Sequence, residues 1–203
     1  MKAVLFDVYE TLLTGHRCRD LDGPLREVAA KFGVSFPSDQ SLADRLEQEI
    51  RSEHQRSNHS YPEVDIREVW KRIFPGLFDA DAFALAAEEA VHPVTLIPGM
   101  AERILKFRAD GLKLGIISNA QAYTRTLLER HLGEAWQCFD NELLFFSYEH
   151  RTSKPGHDLF QLAIDQLSKC GISPHEILMI GDSMKNDIEP ARGLGMKARQ
   201  APL

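Results

Sequence analysis

The sequence predicts an α/β protein, with a parallel β-sheet covered by helices on both faces and interrupted by an inserted all-helical segment. From residue 95 onward, short apolar runs alternate with amphipathic helical patterns, which is typical of βαβ units. Residues 15–94 contain helical patterns without a clear strand, although one buried strand precedes them. We therefore expect a three-layer core from residues 1–14 and 95–203, with residues 15–94 forming a helical domain inserted into it.

The first strand is predicted over residues 2–6, a short apolar run that stops at Asp7. Four helices follow in the insertion, over residues 22–32, 39–56, 65–74 and 81–91. The first helix ends before Gly33, a typical C-terminal stop, and the second begins at Ser38 or Asp39. Asp65 followed three residues later by Glu68 indicates a capped start for the third helix.

Strands and helices alternate through the remaining sequence. Strands are predicted over 113–118, 142–147, 176–183 and 196–199, and helices over 98–111, 122–131, 157–171 and 188–194. The strands are almost uniformly apolar, as expected for a parallel sheet that is buried on both faces. We expect the first strand to join this sheet.

Composition and charge exclude several classes of partner. The 203 residues carry a formal net charge of −6 and no cluster of Lys and Arg, which argues against binding to nucleic acid or to a membrane surface. No apolar stretch is long enough to cross a bilayer, and the N-terminal apolar run is too short for a signal peptide. Three widely separated cysteines are typical of reduced thiols. These features favour a cytoplasmic protein that acts on a small molecule.

Polar residues follow the predicted strands at the points where they end. The candidates are Asp7, Ser118, Asn119 and Asp182 at strand ends, Asp187 shortly after the last of these, and Lys154 in the loop after the third strand. Each one alone is also explained by the preference of such residues for turns. Because ligands bind beyond the carboxyl ends of parallel strands, the set as a whole predicts a single site.

The charges of these candidates predict a metal ion. Asp7, Asp182 and Asp187 facing Lys154 would leave two net negative charges in a cleft, and like charges at short range raise pKa values and destabilise the fold. A divalent cation removes this conflict. Mg²⁺ suits oxygen ligands and pairs with phosphate, so we expect Mg²⁺ at this site, where Asp7 could also act as a nucleophile.

Four segments resemble, in order, the four motifs of the haloacid dehalogenase-like (HAD) hydrolase superfamily. They are "FDVYETLL", "IISN", "SKPGHDLF" and "IGDSMKNDIEPARGLGM". The insertion lies between the first and second motifs, where this superfamily carries its C1-type helical cap. The resemblance covers essentially the whole chain and implies a Rossmann-like core with a helical cap domain.

The resemblance also implies catalytic roles. Asp7 would be the nucleophile that forms a covalent aspartyl intermediate, and Thr11 would help to position it. Ser118 and the backbone amide of Asn119 would bind the oxygens of the transferred group. Lys154 would hold both the nucleophile and that group.

The implied metal site contains Asp7, Asp182 and the backbone carbonyl of Tyr9, with Asp187 supporting the Mg²⁺ ion directly or through water. Phosphatases of this superfamily have a second Asp at the position of Tyr9, where it serves as general acid and base. A phenol with a pKa near 10 is a poor general base at neutral pH. The 2-haloacid dehalogenases have Tyr there, but they have Ser at the position of Asp182, Asn at the position of Met184, and no metal.

These features favour a Mg²⁺-dependent phosphatase that acts on a small phosphorylated metabolite through an aspartyl-phosphate intermediate. The alternatives are a 2-haloacid dehalogenase, indicated by Tyr9, and a binding module with weak or no catalysis. Glu10 stands where the superfamily usually has Gly. It is interpreted as a surface acid rather than as a substitute catalytic acid.

Overall fold

The computed structural model of the protein describes residues 1–201 and contains a five-stranded parallel sheet. The strands of the chain are β1 (Ala3–Phe6), β2 (Leu13–Gly15), β3 (Val94–Leu96), β4 (Lys113–Ser118), β5 (Leu144–Phe146), β6 (Ile177–Gly181) and β7 (Lys197–Gln200). The sheet has the order β5-β4-β1-β6-β7, and every neighbouring pair is parallel. The predicted α/β class and parallel sheet are confirmed, with β1 at the centre.

Helices connect these strands. They are α1 (Asp22–Lys31), α2 (Leu42–Arg56), α3 (Ile66–Ile73), α4 (Ala80–Val91), α5 (Met100–Ala109), α6 (Tyr123–Leu132), α7 (Ser147–His150), α8 (Asp158–Ser168) and α9 (Glu189–Gly193). Asp65 caps α3 as predicted, because its side chain accepts a hydrogen bond from the backbone N–H of Arg67. None of the helices in the described part of the chain is long and apolar enough to span a bilayer.

Some element boundaries differ from the sequence-based expectation. Helix α2 begins at Leu42 rather than near residue 39, because the Ser41 hydroxyl accepts a hydrogen bond from the backbone N–H of Asp44 and caps the helix there. The strand predicted over 142–147 covers only β5, since a 3₁₀ turn precedes it and Ser147 begins α7. Strands β2 and β3, which form a separate two-stranded sheet, have three residues each and give no periodic signal.

Both faces of the central strand are covered by apolar side chains. Leu5 joins a buried cluster with residues of α8, including Leu159 and Phe160. Phe6 points to the opposite face, as alternation along a strand requires, where its ring centroid lies 6.1 Å from that of Phe107 and 6.0 Å from that of Phe139. This three-layer packing leaves the carboxyl ends of the strands as the edge where ligands bind in such sheets.

The chain divides into two compact units. The first contains Met1–Thr14, His59–Glu63 and the chain from Thr95 onward, and the second contains Gly15–Asn58 and Val64–Val94. The range 15–94 expected for the insertion therefore differs from the second unit by five residues. His59–Glu63 group with the first unit because the backbone pairs there, with the N–H of Ser153 donating to the carbonyl of Tyr61 over 2.8 Å.

The second unit is helical and has an aromatic core of its own. The ring of Phe83 in α4 lies 5.0 Å from that of Trp70 in α3 and 5.2 Å from that of Phe32, measured between centroids. Phe74 lies 5.5 Å from Phe83 in the same cluster. Trp70 and Phe83 are fully buried, so this unit has an apolar core that does not depend on the sheet.

Candidate active site

The register of the sheet brings the predicted site residues to one edge. Phe6 of β1 pairs with Ile116 of β4 and with Ile180 of β6, so these three strands end at nearly the same height. The backbone N–H of Asp7 donates to the carbonyl of Ile180 over 2.8 Å. The first residues beyond these strands therefore lie next to one another, as their sequence positions predict.

Lys154 links two of the predicted carboxylates. Its ammonium donates to Oδ1 of Asp7 over 2.7 Å and also to Oδ1 of Asp187. Lys154 is 4% exposed and Asp187 is 1% exposed. Burial alone favours the neutral amine, but the two carboxylates outweigh this effect and raise the pKa of Lys154 above its ordinary value. Lys154 is therefore a buried cation held against Asp7.

Asp182 completes a cluster of three acids. Asp7, Asp182 and Asp187 each place one carboxylate oxygen within 4.8 Å of the others. Burial, followed by the charges of Asp7 and Asp187, raises the pKa of Asp182 above its ordinary value. Burial likewise raises the pKa of Asp187, although Lys154 opposes this. Three carboxylates with one ammonium leave an excess of negative charge, and the donor set consists only of oxygens, which fits a hard cation such as Mg²⁺.

A π-helical turn over Met184–Ile188 positions Asp187. The backbone N–H groups of Asp187 and Ile188 both donate to the carbonyl of Ser183, over 2.9 and 3.2 Å. Oδ2 of Asp187 accepts the N–H of Ser183 over 3.0 Å. The carboxylate rests against Gly181, where a Cβ atom would overlap it. Such turns are rare in proteins, and those that occur often lie at functional sites.

The loops after β4 and before α8 are joined through Asn119. Its Oδ1 accepts the backbone N–H of Lys154 over 2.7 Å, and its Nδ2 donates to the Lys154 carbonyl over 2.9 Å. The side chain of Asn119 is thus used to fix the loop that carries Lys154. The expected role of the Asn119 backbone amide in binding a ligand stays a prediction.

Two hydroxyl groups at this edge are buried without a partner among the described residues. They are Oγ of Ser118, at the end of β4, and Oγ1 of Thr11, in the loop after β1. Ser118 is fully buried and Thr11 is 1% exposed. Buried polar groups nearly always form hydrogen bonds, so an unpaired hydroxyl at a ligand-binding edge indicates a donor available to a bound oxygen.

The phenol of Tyr9 reaches helix α6. Its hydroxyl lies 2.9 Å from Oγ1 of Thr124, and either group could donate. Thr124 is fully buried, so Tyr9 provides a partner for a hydroxyl that would otherwise be costly to bury.

Glu10 adopts a backbone conformation that usually requires Gly. Its φ of +55° lies in the left-handed region, which explains why Gly is usual at this position. Its side chain is exposed, and its Oε2 accepts a hydrogen bond from Thr14 over 2.9 Å. The structure thus agrees with the interpretation of Glu10 as a surface acid.

Two residues beside the site, Thr124 and Ser147, were not predicted from the sequence. Sequence reasoning offers Glu63 as an entrance residue or as part of a capped helix start, and in the structure its carboxylate accepts from Ser147. Ser147 ends the predicted strand over 142–147, so the strand-end signal that selected Asp7 and Ser118 was present there as well. Thr124 lies inside a helix, and no sequence pattern connects it to this edge.

Comparisons with known proteins identify relatives over nearly the whole chain. A relative from Methanopyrus kandleri named glyceraldehyde 3-phosphate phosphatase is 24% identical over 198 residues, which covers 97% of this chain and 82% of that protein. The crystal structure of a HAD phosphatase from Thermococcus onnurineus matches with a TM-score of 0.63 and 26% identity, covering 98% of this chain and 85% of that one.

A second solved structure shows the same fold. It is a HAD family enzyme from Bacteroides thetaiotaomicron in complex with magnesium and inorganic phosphate, with a TM-score of 0.64 and 15% identity over 98% of this chain and 93% of that one. The family model described as haloacid dehalogenase-like hydrolase matches residues 1–195. The chain therefore belongs to the haloacid dehalogenase-like hydrolases and is an enzyme of the hydrolase class.

Proposed function

We propose that this hydrolase is a Mg²⁺-dependent phosphatase that transfers the phosphoryl group of a small phosphorylated metabolite to Asp7 and then to water. The observation that carries the proposal is the buried ammonium of Lys154, bonded to Asp7 and Asp187, beside a third carboxylate at Asp182. This arrangement has one candidate nucleophile, a fixed positive charge beside it, and an acidic cluster suited to a cation. The phosphatase names of two relatives support the same reaction class.

The metal would be held by oxygen atoms of this chain. In this proposal Asp7, Asp182 and the backbone carbonyl of Tyr9 bind Mg²⁺, and Asp187 supports it directly or through water. The enzyme from Bacteroides thetaiotaomicron, which shares the fold, was crystallised with magnesium and phosphate. When bound, Mg²⁺ supplies positive charge that offsets the carboxylates and the charge on the phosphoryl oxygens.

In the first step, a carboxylate oxygen of Asp7 attacks phosphorus, and the bond from phosphorus to the alcohol oxygen of the substrate breaks. Lys154 donates a hydrogen bond to Asp7. Its positive charge also stabilises the negative charge on the phosphoryl oxygens. Oγ of Ser118 and the backbone N–H of Asn119 donate to those oxygens. The Thr11 hydroxyl, expected to help position Asp7, has no hydrogen bond to it in this structure and enters the proposal as a further donor beside the nucleophile. In this proposal the departing alcohol oxygen takes up a proton from the Tyr9 hydroxyl, which stands at the position where the phosphatases of the superfamily have their acid.

In the second step, water attacks the phosphorus of the aspartyl phosphate, the bond to the Asp7 oxygen breaks, and inorganic phosphate leaves. The attacking water must lose a proton. A phenol has a pKa near 10 and is a poor general base at neutral pH. We therefore propose that hydrolysis of the intermediate is the slow step in this enzyme.

The proposal also assigns a function to each of the two units. Residues 1–14 and 95–203 form the catalytic domain, and the helical insertion within 15–94 acts as a cap that selects the substrate. Within this range His59–Glu63 are the exception, since they group with the first unit.

A 2-haloacid dehalogenase is the second candidate, favoured by one observation, the presence of Tyr9. In that reaction Asp7 attacks carbon, the carbon–halogen bond breaks, and halide departs without a proton. Asp182 argues against it, because a third carboxylate in this cluster calls for a cation that the dehalogenases lack. A binding module without catalysis is less well supported, since Asp7, Lys154 and Asp187 form a bonded set.

The test is a comparison of substrates with and without metal. We expect hydrolysis of phosphate monoesters in Mg²⁺ and its loss in EDTA, with no halide released from 2-chloropropionate in either condition. The control is Asp7→Asn, which removes the nucleophile and should abolish turnover. Release of chloride in EDTA would replace the phosphatase proposal with the dehalogenase.

A further inference from the structure

A short segment of the insertion, Tyr61–Glu63, runs beside the loop that leads to Lys154. Pro62 forms an antiparallel bridge with Thr152, and the N–H of Glu63 donates to the carbonyl of Arg151 over 3.1 Å. Together with the bond from Ser153 to Tyr61, these contacts form a small antiparallel pairing. The pairing fixes the backbone of Glu63 within the first unit.

The carboxylate of Glu63 reaches the neighbouring loop, which follows β4. The hydroxyl of Ser147 donates to Oε2 of Glu63 over 2.7 Å, and Nε2 of Gln121 lies 3.3 Å from Oε1. Ser147 is fully buried, and its oxygen accepts the backbone N–H of Ala120 over 2.9 Å. Glu63 is therefore connected to the backbone of Ala120 through one hydroxyl group.

The negative charge of Glu63 determines how the Ser147 hydroxyl is oriented. This hydroxyl has one proton and two possible acceptors, the Glu63 carboxylate at 2.7 Å and the Ala120 carbonyl at 3.2 Å. Hydrogen bonds to an ionised acceptor are shorter and stronger than neutral ones. The proton therefore points to Glu63, and a lone pair of the oxygen faces the N–H of Ala120.

Ala120 lies in the loop between β4 and α6, two residues after Ser118, and the segment Ser118–Ala120 carries both groups assigned to the phosphoryl oxygens. The side chain of Asn119 holds this loop to the Lys154 backbone, and Ser147 holds it at Ala120. We propose that Glu63 is a positioning residue for the oxyanion-binding loop and acts through Ser147. The role in turnover rests on the proposed phosphatase function, whereas the effect on the loop does not.

The first test compares kinetics on a phosphate monoester for Glu63→Ala, Glu63→Gln, Ser147→Ala and the double variant Glu63→Ala/Ser147→Ala. A displaced catalytic group can cost about 10²-fold in rate, so Glu63→Ala should lower kcat by about 10- to 100-fold with KM nearly unchanged. The amide oxygen of Glu63→Gln can still accept from Ser147 but carries no charge, so this variant should lose less activity than Glu63→Ala. If Glu63 acts through Ser147, the double variant should be no slower than Ser147→Ala.

The control is Asp79→Ala. Asp79 caps α4 in the second unit by accepting the N–H of Ala82 over 2.9 Å, so its loss should lower the melting temperature and leave kcat unchanged. Additive losses of kcat in the double variant, or equal losses for Glu63→Gln and Glu63→Ala, would overturn the proposal.

The second test does not depend on activity. Hydrogen exchange of the Ala120 amide, resolved by NMR, should become faster in Glu63→Ala and in Ser147→Ala, should change less in Glu63→Gln, and should stay slow in Asp79→Ala. Unchanged protection of Ala120 in Glu63→Ala would refute the positioning role. If the wild type hydrolyses no phosphate ester, the proposed function fails while this measurement still decides the role of Glu63. If Glu63→Ala does not fold, Ser147→Ala and Glu63→Gln supply the same comparison.

Discussion

The carboxylate of Asp187 occupies the space that a Cβ atom on Gly181 would fill. Gly181 ends β6, and Asp187 follows in the π-helical turn, where it accepts hydrogen bonds from Lys154 and from the backbone of Ser183. Asp187 can therefore take this position because residue 181 has no side chain.

The first prediction is that Gly181→Ala weakens the candidate metal site. The added methyl group must displace Asp187 and thereby Lys154, and loss of groups that orient metal ligands typically costs about 10- to 100-fold in affinity or activity. Mg²⁺ binding by calorimetry and kcat/KM on a phosphate monoester are the measurements. Gly193→Ala is the matched control, since nothing lies within 4 Å of a Cβ there, and it should leave both quantities unchanged. Wild-type Mg²⁺ affinity in Gly181→Ala would contradict this account of the site.

The second prediction is that Mg²⁺ stabilises the folded protein. A ligand that binds only the folded state raises the free energy of unfolding by about 2.7 kcal/mol at a concentration of 100 Kd. For a chain of this size, each kcal/mol corresponds to roughly 2–4 °C in Tm. Thermal unfolding in Mg²⁺ and in EDTA measures the shift, and Asp182→Asn should show less of it. An unchanged Tm at millimolar Mg²⁺ would argue against the metal site.

The third prediction concerns the pH dependence of stability without metal. The pKa values of Asp182 and Asp187 are raised in the folded state, mainly by burial. The folded state therefore binds more protons, and stability falls as the pH rises through the raised pKa values. In EDTA, Asp182→Asn should be more stable than the wild type at neutral pH, and the difference should vanish near the ordinary Asp pKa of about 3.9. A wild type that is more stable than Asp182→Asn in EDTA at pH 7 would contradict the electrostatic argument.

The fourth prediction is that Tyr9→Asp increases the hydrolysis of phosphate monoesters. General acid–base catalysis typically contributes about 10²- to 10⁴-fold, and part of this gain should be lost because the new charge joins an acidic cluster. Because both ester classes pass through the same aspartyl phosphate, kcat should rise for both, whereas kcat/KM should rise more for alkyl than for aryl phosphates, since a good leaving group needs little protonation. Steady-state kinetics on both ester classes, with and without Mg²⁺, give the answer.

Two control variants distinguish the effect of adding a carboxylic acid at position 9 from the effect of removing the phenol. Tyr9→Phe removes the hydroxyl that lies 2.9 Å from Thr124 without adding an acid, so it should lower stability and give no gain in rate. Asp7→Asn should abolish turnover in both backgrounds. If Tyr9→Asp hydrolyses phosphate monoesters more slowly than the wild type, the proposal that the wild type lacks an effective general base is wrong.

The fifth prediction compares Glu10→Gly with Glu10→Ala. Both variants lose the hydrogen bond from Thr14, and they differ in whether the residue has a Cβ at a φ of +55°. Left-handed backbone costs a residue other than Gly roughly 1–2 kcal/mol, so Glu10→Gly should be the more stable of the two. Urea unfolding of two variants with the same m value measures the difference in their free energies of unfolding. Equal free energies of unfolding would show that the backbone of residue 10 is not strained.

The amino-acid sequence alone predicted the parallel sheet and the edge of the sheet at which the candidate site residues lie. Each strand is an apolar run that ends at a polar residue, and parallel strands place those ends at one edge, so Asp7, Ser118 and Asp182 could be grouped without coordinates. The net negative charge of three carboxylates with one ammonium, that of Lys154, also follows from the residue types alone. These inferences succeed because they depend on local patterns and on a general property of parallel sheets.

Tertiary structure alone decided the contacts between residues that are distant in the chain. The pairing of Tyr9 with Thr124, the close approach of Asp187 to Gly181, and the link from Glu63 through Ser147 to Ala120 have no signature in sequence spacing. The grouping of His59–Glu63 with the first unit was likewise not apparent, because it depends on contacts with residues about 60 to 90 positions away, including backbone pairing with residues 151–153. Such contacts are determined by how loops meet after the elements have packed, and periodicity carries no information about that step.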